Sequence, residues 1–250
     1  MKIKSLIIIG LLLAGVNYSG NAQETEFKQP SWWFGIATGA NFNFYSGSTQ
    51  QLNSDFTAST AFGNGFGAGV YLASLLEYHR PDSRFGLNLQ VGFDSREGTF
   101  KQVMMPCNCP AVLKVNLSYV TIEPTFRIAP FRNHFYVYAG PRISFNTSKS
   151  FEYTEEINPE YPLQADDPSV NGDFSNINNI LLTAKIGAGY DFPISQPNHS
   201  LQDIVSLFIS YEPAYGQAPR SIETWNNATL RVGAAAKFGY GSKTDKIPAH

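Results

Sequence analysis

Residues 229–241 read TLRVGAAAKFGYG. Leu230, Val232, Ala234, Ala236, Phe238 and Tyr240 fall on one parity, and Thr229, Arg231, Gly233, Ala235, Lys237 and Gly239 fall on the other. Period-2 alternation predicts a strand with two unlike faces. Two environments suit such a strand. In a soluble sandwich the apolar face turns inward and the cations meet water. In a membrane barrel the apolar face turns out to lipid and the cations fill the lumen. The rest of the sequence decides between them.

The chain has 250 residues and a net charge of −2, which argues against a nucleic-acid partner because such proteins present a basic surface. Charged residues make up 15%, below the roughly 25% of an ordinary soluble domain, while aromatics reach 14% and there are 21 glycines. This balance suits strands that are only half apolar. At the N-terminus, Lys2 and Lys4 precede the apolar run SLIIIGLLLAGV, and Asn21-Ala22-Gln23 offers a cleavage point. The run is shorter than the about 20 residues of a spanning helix, so residues 1–22 are expected to be a Sec signal peptide. No other stretch is long and apolar enough to cross as a helix, so insertion must be by strands. The expected organisation is a periplasmic segment at 23–31, a barrel at 32–241 and a periplasmic tail at 242–250.

Eight segments alternate in polarity: about 32–47, 65–79, 84–101, 112–131, 135–150, 179–195, 203–215 and the opening stretch. The fourth changes phase. Leu113, Val115, Leu117 and Tyr119 are odd, whereas Val120, Ile122, Phe126 and Ile128 are even. A one-residue slip flips a strand's faces, so a bulge is expected near Tyr119; the alternative is that 113–118 lie beyond the bilayer. Connections after the even-numbered segments are short (RPDSR, FRNH, QPNHSLQ). The others, at 48–64, 102–111, 151–178 and 216–228, are long. Short turns at one end and long loops at the other predict an all-β, eight-stranded, antiparallel up-and-down transmembrane barrel with periplasmic turns and extracellular loops. Trp32 and Trp33 then fall at the inner interface, where an aromatic belt is expected.

With one parity assignment, Asp94, Glu123, Arg127, Arg142, Lys185, Asp191, Glu212, Arg231 and Lys237 share the face opposite the bulky apolar residues. Each cation would cost about 2–4 kcal/mol if turned to lipid at the midplane. An eight-strand lumen is just wide enough for side chains to fill, so a plugging charge network is expected, with Glu123 and Arg142 paired. Charges near strand ends, Lys237 among them, belong either to the network or to the rim.

LSYVTIEPTFRIAP (117–130) resembles the "Y-L-E-I-P" strand of the PorT-like outer-membrane β-barrel proteins of Bacteroidota. FYVYAGPRISF (135–145) is similar to the strand that follows it there, and KIGAGYDF (185–192) to a later glycine-rich strand. The resemblance implies an eight-stranded outer-membrane barrel. The family's namesake is associated with type IX secretion, while most members have no assigned role. This chain continues past Tyr240 with GSKTDKIPAH instead of stopping on an aromatic.

Other candidate sites are few. Cys107 and Cys109 in PCNCP are read as a disulfide loop staple or two inert thiols; two thiolates do not complete a zinc site. Asp167, Ser169, Asn171, Gly172 and Asp173 echo a calcium loop, but Asn178 replaces the bidentate Glu at the twelfth position, so a solvated acidic loop without metal is expected. Trp225, near Tyr215, is read as a loop aromatic that either meets sugar or protein or packs on the rim. His79, His134 and His199 fall in or beside the short turns, away from where an outer-leaflet lipid enzyme needs its base, so the chain is read as a non-enzyme. The leading hypothesis is a structural or interaction barrel without cofactor. Its partners are outer-membrane lipid and envelope proteins that the sequence does not name. The others are a narrow channel or small-ligand transporter and a lipid-modifying enzyme.

Overall fold

The structure, a computed structural model, describes residues 27–131, 134–161, 163, 169–196, 199–214 and 219–243. The expected signal peptide, Asp167, Tyr215 and the chain after residue 243 lie outside the described residues. Eight antiparallel strands follow one another: β1 (Trp32–Gly47), β2 (Gly65–His79), β3 (Phe85–Phe100), β4 (Pro110–Ile128), β5 (Phe135–Glu155), β6 (Ile180–Pro193), β7 (Leu201–Glu212) and β8 (Trp225–Tyr240). Each pairs with the next. β8 pairs with β1 from Trp225↔Gly47 to Phe238↔Phe34, so the sheet closes on itself and leaves no free edge in the ring.

The two faces are partitioned as a membrane requires. Ile36 is 58% exposed on the outside of the ring, while Lys237, on the neighbouring strand, is 1% exposed inside it. On β1 the outward apolar positions run from Trp32 to Phe44. That is about 40 Å of strand, or about 30 Å along the axis at a tilt of about 40°, which matches a hydrocarbon core. Trp32 packs on Tyr78, tilted, with ring centroids 4.7 Å apart in the outward aromatic belt, at the end carrying the short turns. Trp33, also expected in the belt, turns inward and is 3% exposed, because it occupies the other parity of the same strand.

Above the membrane band the interior changes character. The loop-end storey is packed around Tyr45, Phe62, Phe100, Leu113, Leu117, Phe151, Tyr153, Phe174 and Trp225. On β4 every odd position from Ala111 to Arg127 faces inward, while Lys114 and Asn116 face outward. The expected face flip in β4 therefore does not occur. What changes along β4 is the lining, apolar up to Tyr119 and then polar at Thr121, Glu123, Thr125 and Arg127. The register shift lies between Ser118 and Tyr119, but the extra residue is Thr147 of the partner strand, since Ser118 pairs Ser148 and Tyr119 pairs Asn146. It is β5 that slips. Tyr136, Tyr138, Arg142 and Ser144 face inward on even positions, Phe151 and Tyr153 on odd ones.

The connections are more ordered than long loops imply. Thr49–Gln51 pairs with Thr57–Phe62, Val103–Met104 pairs with the start of β4, and Val170–Asp173 pairs with Ser150–Tyr153 of β5. Asn171 and Asp173 of the calcium-like motif are thus in a strand. At the turn end, Phe27–Lys28 pairs with Ser242–Lys243.

One seam is closed by side chains. The β2–β3 ladder has no paired residues between Phe66↔Thr99 and Tyr71↔Asp94. There, from β1, the Asn41 amide donates to the Ser95 carbonyl at 3.2 Å, and the Asn43 amide to the Glu97 carbonyl at 3.1 Å. The Tyr45 hydroxyl reaches the Arg96 carbonyl. These side chains cross β2 where it is Gly67 and Gly69. A side chain at either glycine would strike the β3 backbone.

Candidate functional site

All nine residues expected in the lumen are buried there, in two tiers. The tier nearer the loops is centred on Arg142, whose β5 position places it between three carboxylates. Its Nε donates to Glu123 of β4 at 2.9 Å, and its terminal nitrogens meet Asp94 of β3 and Glu212 of β7. Arg231 of β8 reaches Asp94 at 3.2 Å and Glu123 at 3.3 Å, and Lys185 of β6 pairs with Glu123. Arg96 bridges Asp94 at 3.0 Å and Glu212 at 2.6 Å. Neutral groups complete the shell. Asn41 donates to Asp94 at 2.5 Å, Thr121 to Glu123 at 2.9 Å and Thr183 to Glu212 at 2.7 Å. The Arg231 guanidinium lies 3.5 Å from the Tyr71 ring centroid, a cation–π contact.

The tier nearer the turns is smaller. Arg127 of β4 joins Glu77 of β2 and Asp191 of β6, the latter at 2.6 Å. Lys237 of β8 bridges the same two carboxylates at 3.1 and 2.9 Å. Ser206 donates to Asp191 at 2.5 Å, and Arg127 lies 4.0 Å from the Tyr136 ring centroid. Lys237 therefore belongs to the network and not to the rim.

Two members escaped the sequence reading. Arg96 shares the inward even parity of Asp94 and was on the polar face of its segment without being counted in the network, and Glu77 shares the inward odd parity of Gly69 and Tyr71, so extending that assignment to the strand end would have found it. With them the upper tier holds four cations (Arg96, Arg142, Lys185, Arg231) against three carboxylates (Asp94, Glu123, Glu212), and the lower tier two against two. Ions taken from water are stabilised only when partnered this densely. Among the described residues, the voids lined by Lys237 and Gln90 and by Arg142 and Lys185, at the level of the tiers, are about 10 Å³ each, room for roughly one water.

Above the tiers the loops are clamped together. Glu223 accepts from Thr49 Oγ1 at 2.6 Å and from the amides of Gln50 and Gln51 at 2.7 and 2.9 Å. Arg220 donates to Glu223 at 2.7 Å and to the Ser175 carbonyl at 3.1 Å, so one ion pair ties three connections. Burial pulls the Arg220 pKa below its usual value, against the opposing pull of Glu223. Trp225, read from sequence as a loop aromatic, is fully buried as the first residue of β8. It packs on Tyr45, Phe100 and Phe174 with centroids 5.3–5.7 Å apart. A tryptophan beside two asparagines resembles a loop in sequence, but the inward parity of Thr229 and Arg231 reaches it. Cys107 and Cys109 are joined in a disulfide, with the Cys107 sulfur 3.2 Å from the Glu155 carboxylate. Of the calcium-like motif, Asn171 and Asp173 lie in the short strand paired with β5, and Ser169 immediately precedes it.

The outer membrane protein beta-barrel domain family matches residues 21–214 of the chain. No curated protein sequence matches it. Among solved structures the chain is similar to Ail, the attachment invasion locus protein of Yersinia pestis, at 14% identity and a TM-score of 0.36 over 82% of this chain and 98% of that one. It is similar to the outer membrane protein AlkL at 11% identity and a TM-score of 0.44, over 94% and 100% of the two chains. It is also similar to OprG from Pseudomonas aeruginosa at 10% identity and a TM-score of 0.36, over 85% and 98%.

Proposed function

We propose, from the premise that this chain belongs to the outer membrane protein beta-barrel domain family and resides in the outer membrane, that it is a closed, non-conducting barrel presenting a rigid outer platform to other envelope components. The observation that carries this reading is the pairing of polarities along one set of strands. The membrane-level lumen is plugged by two ion tiers, and the storey above it is packed around Trp225 like a small soluble domain. A transporter needs a path, and the voids at the level of the ion tiers are water-sized. A platform needs a fixed shape, and the Arg220–Glu223 clamp supplies it. The turn end is read as periplasmic and the loop end as external, the usual arrangement for short turns and long loops.

The resemblance of 117–130 and 135–145 to PorT-like proteins of Bacteroidota supports a more specific role, as an accessory of a secretion or envelope complex of the type IX kind. The described histidines, His79, His134 and His199, sit at the turn end, which supports a non-enzymatic role and an unchanged lipid A profile on deletion.

Planar-bilayer recording of the purified protein tests the closed barrel: no steady unitary current is expected, and stable ion-selective openings would favour the channel reading. Affinity purification from native outer membrane then tests the platform. Co-purifying envelope proteins are expected to be lost when the outer loops are exchanged but retained when the turns are.

A further inference from the structure

Among the described residues the upper tier holds one cation more than it holds carboxylates, Arg96, Arg142, Lys185 and Arg231 against Asp94, Glu123 and Glu212. All seven side chains are 5% exposed or less. Nothing beside them offsets the difference. Asn41, Thr121 and Thr183 carry no charge, Tyr71, Tyr119 and Tyr138 are phenols, and the lower tier is balanced within itself. A net buried charge is costly unless an opposite charge meets it. Inside the same tier lies the void of about 10 Å³ lined by Arg142, Lys185 and Arg231, three of the four cations, together with Ser210, Thr229 and Glu212. These cations have protons to spare. A guanidinium has five N–H groups. Arg142 commits three of them, to Glu123, Glu212 and Asp94, and Arg231 three, to Asn41, Glu123 and Asp94. Lys185 commits two of its three, to Gln90 and Glu123. The carboxylate on the wall of the void is already engaged, since Glu212 accepts from Thr183, Arg96 and Arg142.

We propose that this void is a binding site for one halide-sized monovalent anion, chloride in the cell, which supplies the counter-charge that the upper tier lacks. The uncommitted N–H groups of Arg142, Arg231 and Lys185 suit such an ion, because charge-assisted donors are the strong ones. A water molecule fills the same space but is neutral and leaves the excess as it is. An organic carboxylate or a phosphate is too large for the void. The ion is then a ligand of the folded state alone, since the unfolded chain does not bring β5, β6 and β8 together, and barrel stability is linked to its concentration. The site rests on the charge count and the void, and on neither the outer platform nor the closed-barrel reading.

The test is urea unfolding of the mature chain in phospholipid vesicles at fixed ionic strength, with chloride exchanged stepwise for gluconate, an anion too large for the void. The folding equilibrium constant of the parent protein is expected to rise about tenfold for each tenfold rise in chloride above the dissociation constant, the behaviour of a one-site ligand of the folded state. Lys185→Met leaves three cations against three carboxylates and is expected to lose that dependence. Anomalous diffraction from crystals of the parent grown in sodium bromide needs no variant to fold, and is expected to show a buried peak among Arg142, Lys185 and Arg231. The proposal is overturned by a parent protein that is equally stable in chloride and gluconate, which would mean that Lys185 sheds its proton or that the tier carries its charge bare. It is overturned equally by a chloride response that persists in Lys185→Met, the mark of general screening, or by a void that holds only water in the bromide crystals. A lumen that conducts in planar bilayers would sink the closed-barrel reading without touching any of these outcomes.

Discussion

Arg142 and Glu123 face each other across the β4–β5 ladder at 2.9 Å, both with fully buried side chains. Neither is viable there alone. Arg142 meets three carboxylates, and its loss removes one charged contact from each of them in the middle of a membrane protein. Arg142→Met is expected to cost about 3–5 kcal/mol or to prevent assembly, as for a broken buried ion pair. Urea unfolding in phospholipid vesicles measures it, and Arg142→Lys is expected to recover only part because an ammonium has no planar fork to span three acceptors.

The charge count of the upper tier makes a directional prediction. Four cations face three carboxylates, so removing a cation brings the tier to balance and removing an anion doubles the excess. Lys185→Met is expected to cost less than Glu123→Gln by about 2 kcal/mol. The same vesicle unfolding compares the two, and equal losses would mean that local contacts outweigh the tier's net charge.

Trp225 tests the independence of the outer storey. Trp225→Ala removes the centre of an aromatic cluster, and a buried Trp→Ala change typically costs about 3–5 kcal/mol. Protease digestion of intact vesicles should then cut the loop end faster while the membrane band stays protected. Loss of the whole barrel would show that the two storeys fold as one unit.

The Arg220–Glu223 clamp makes a more local prediction. Glu223→Ala leaves the Gln50 and Gln51 amides without their acceptor and Arg220 without its counter-charge. The buried Arg220 left unpaired costs about 1–3 kcal/mol, while the exposed Gln51 amide can turn to water. Hydrogen exchange should rise at residues 49–51 and around Ser175, with β1 at Ala37 unchanged.

Much of this architecture was legible from parity alone. The opening stretch put Arg231 and Lys237 on one face, and lipid leaves such a face only the inside of a closed ring. What misled was the assumption that a change of hydrophobic phase means a change of face. In β4 the faces hold and the medium changes, from a polar lumen at Glu123 to an apolar packed core at Leu117. The slip itself, at Thr147, sits where serine, threonine and asparagine occupy both parities and carry no signal. Glu77 was missed because it lies near a strand end. Trp225 was misread because local composition favours a loop and only the continued ladder with β1 makes it a strand. The Asn41 and Asn43 bridges over Gly67 and Gly69 depend on three strands at once, which no single segment encodes.

The reversal of lining partway up β4 and β5 also bears on how the protein can diverge. Beyond the bilayer, Lys114, Asn116 and Glu152 point outward, while Leu113, Val115, Phe151 and Tyr153 hold the interior between them. Substitutions in the first set meet little packing, whereas the second is constrained by it. Differences among close relatives should therefore alternate residue by residue along these two strands, giving a surface that changes its identity without changing its shape.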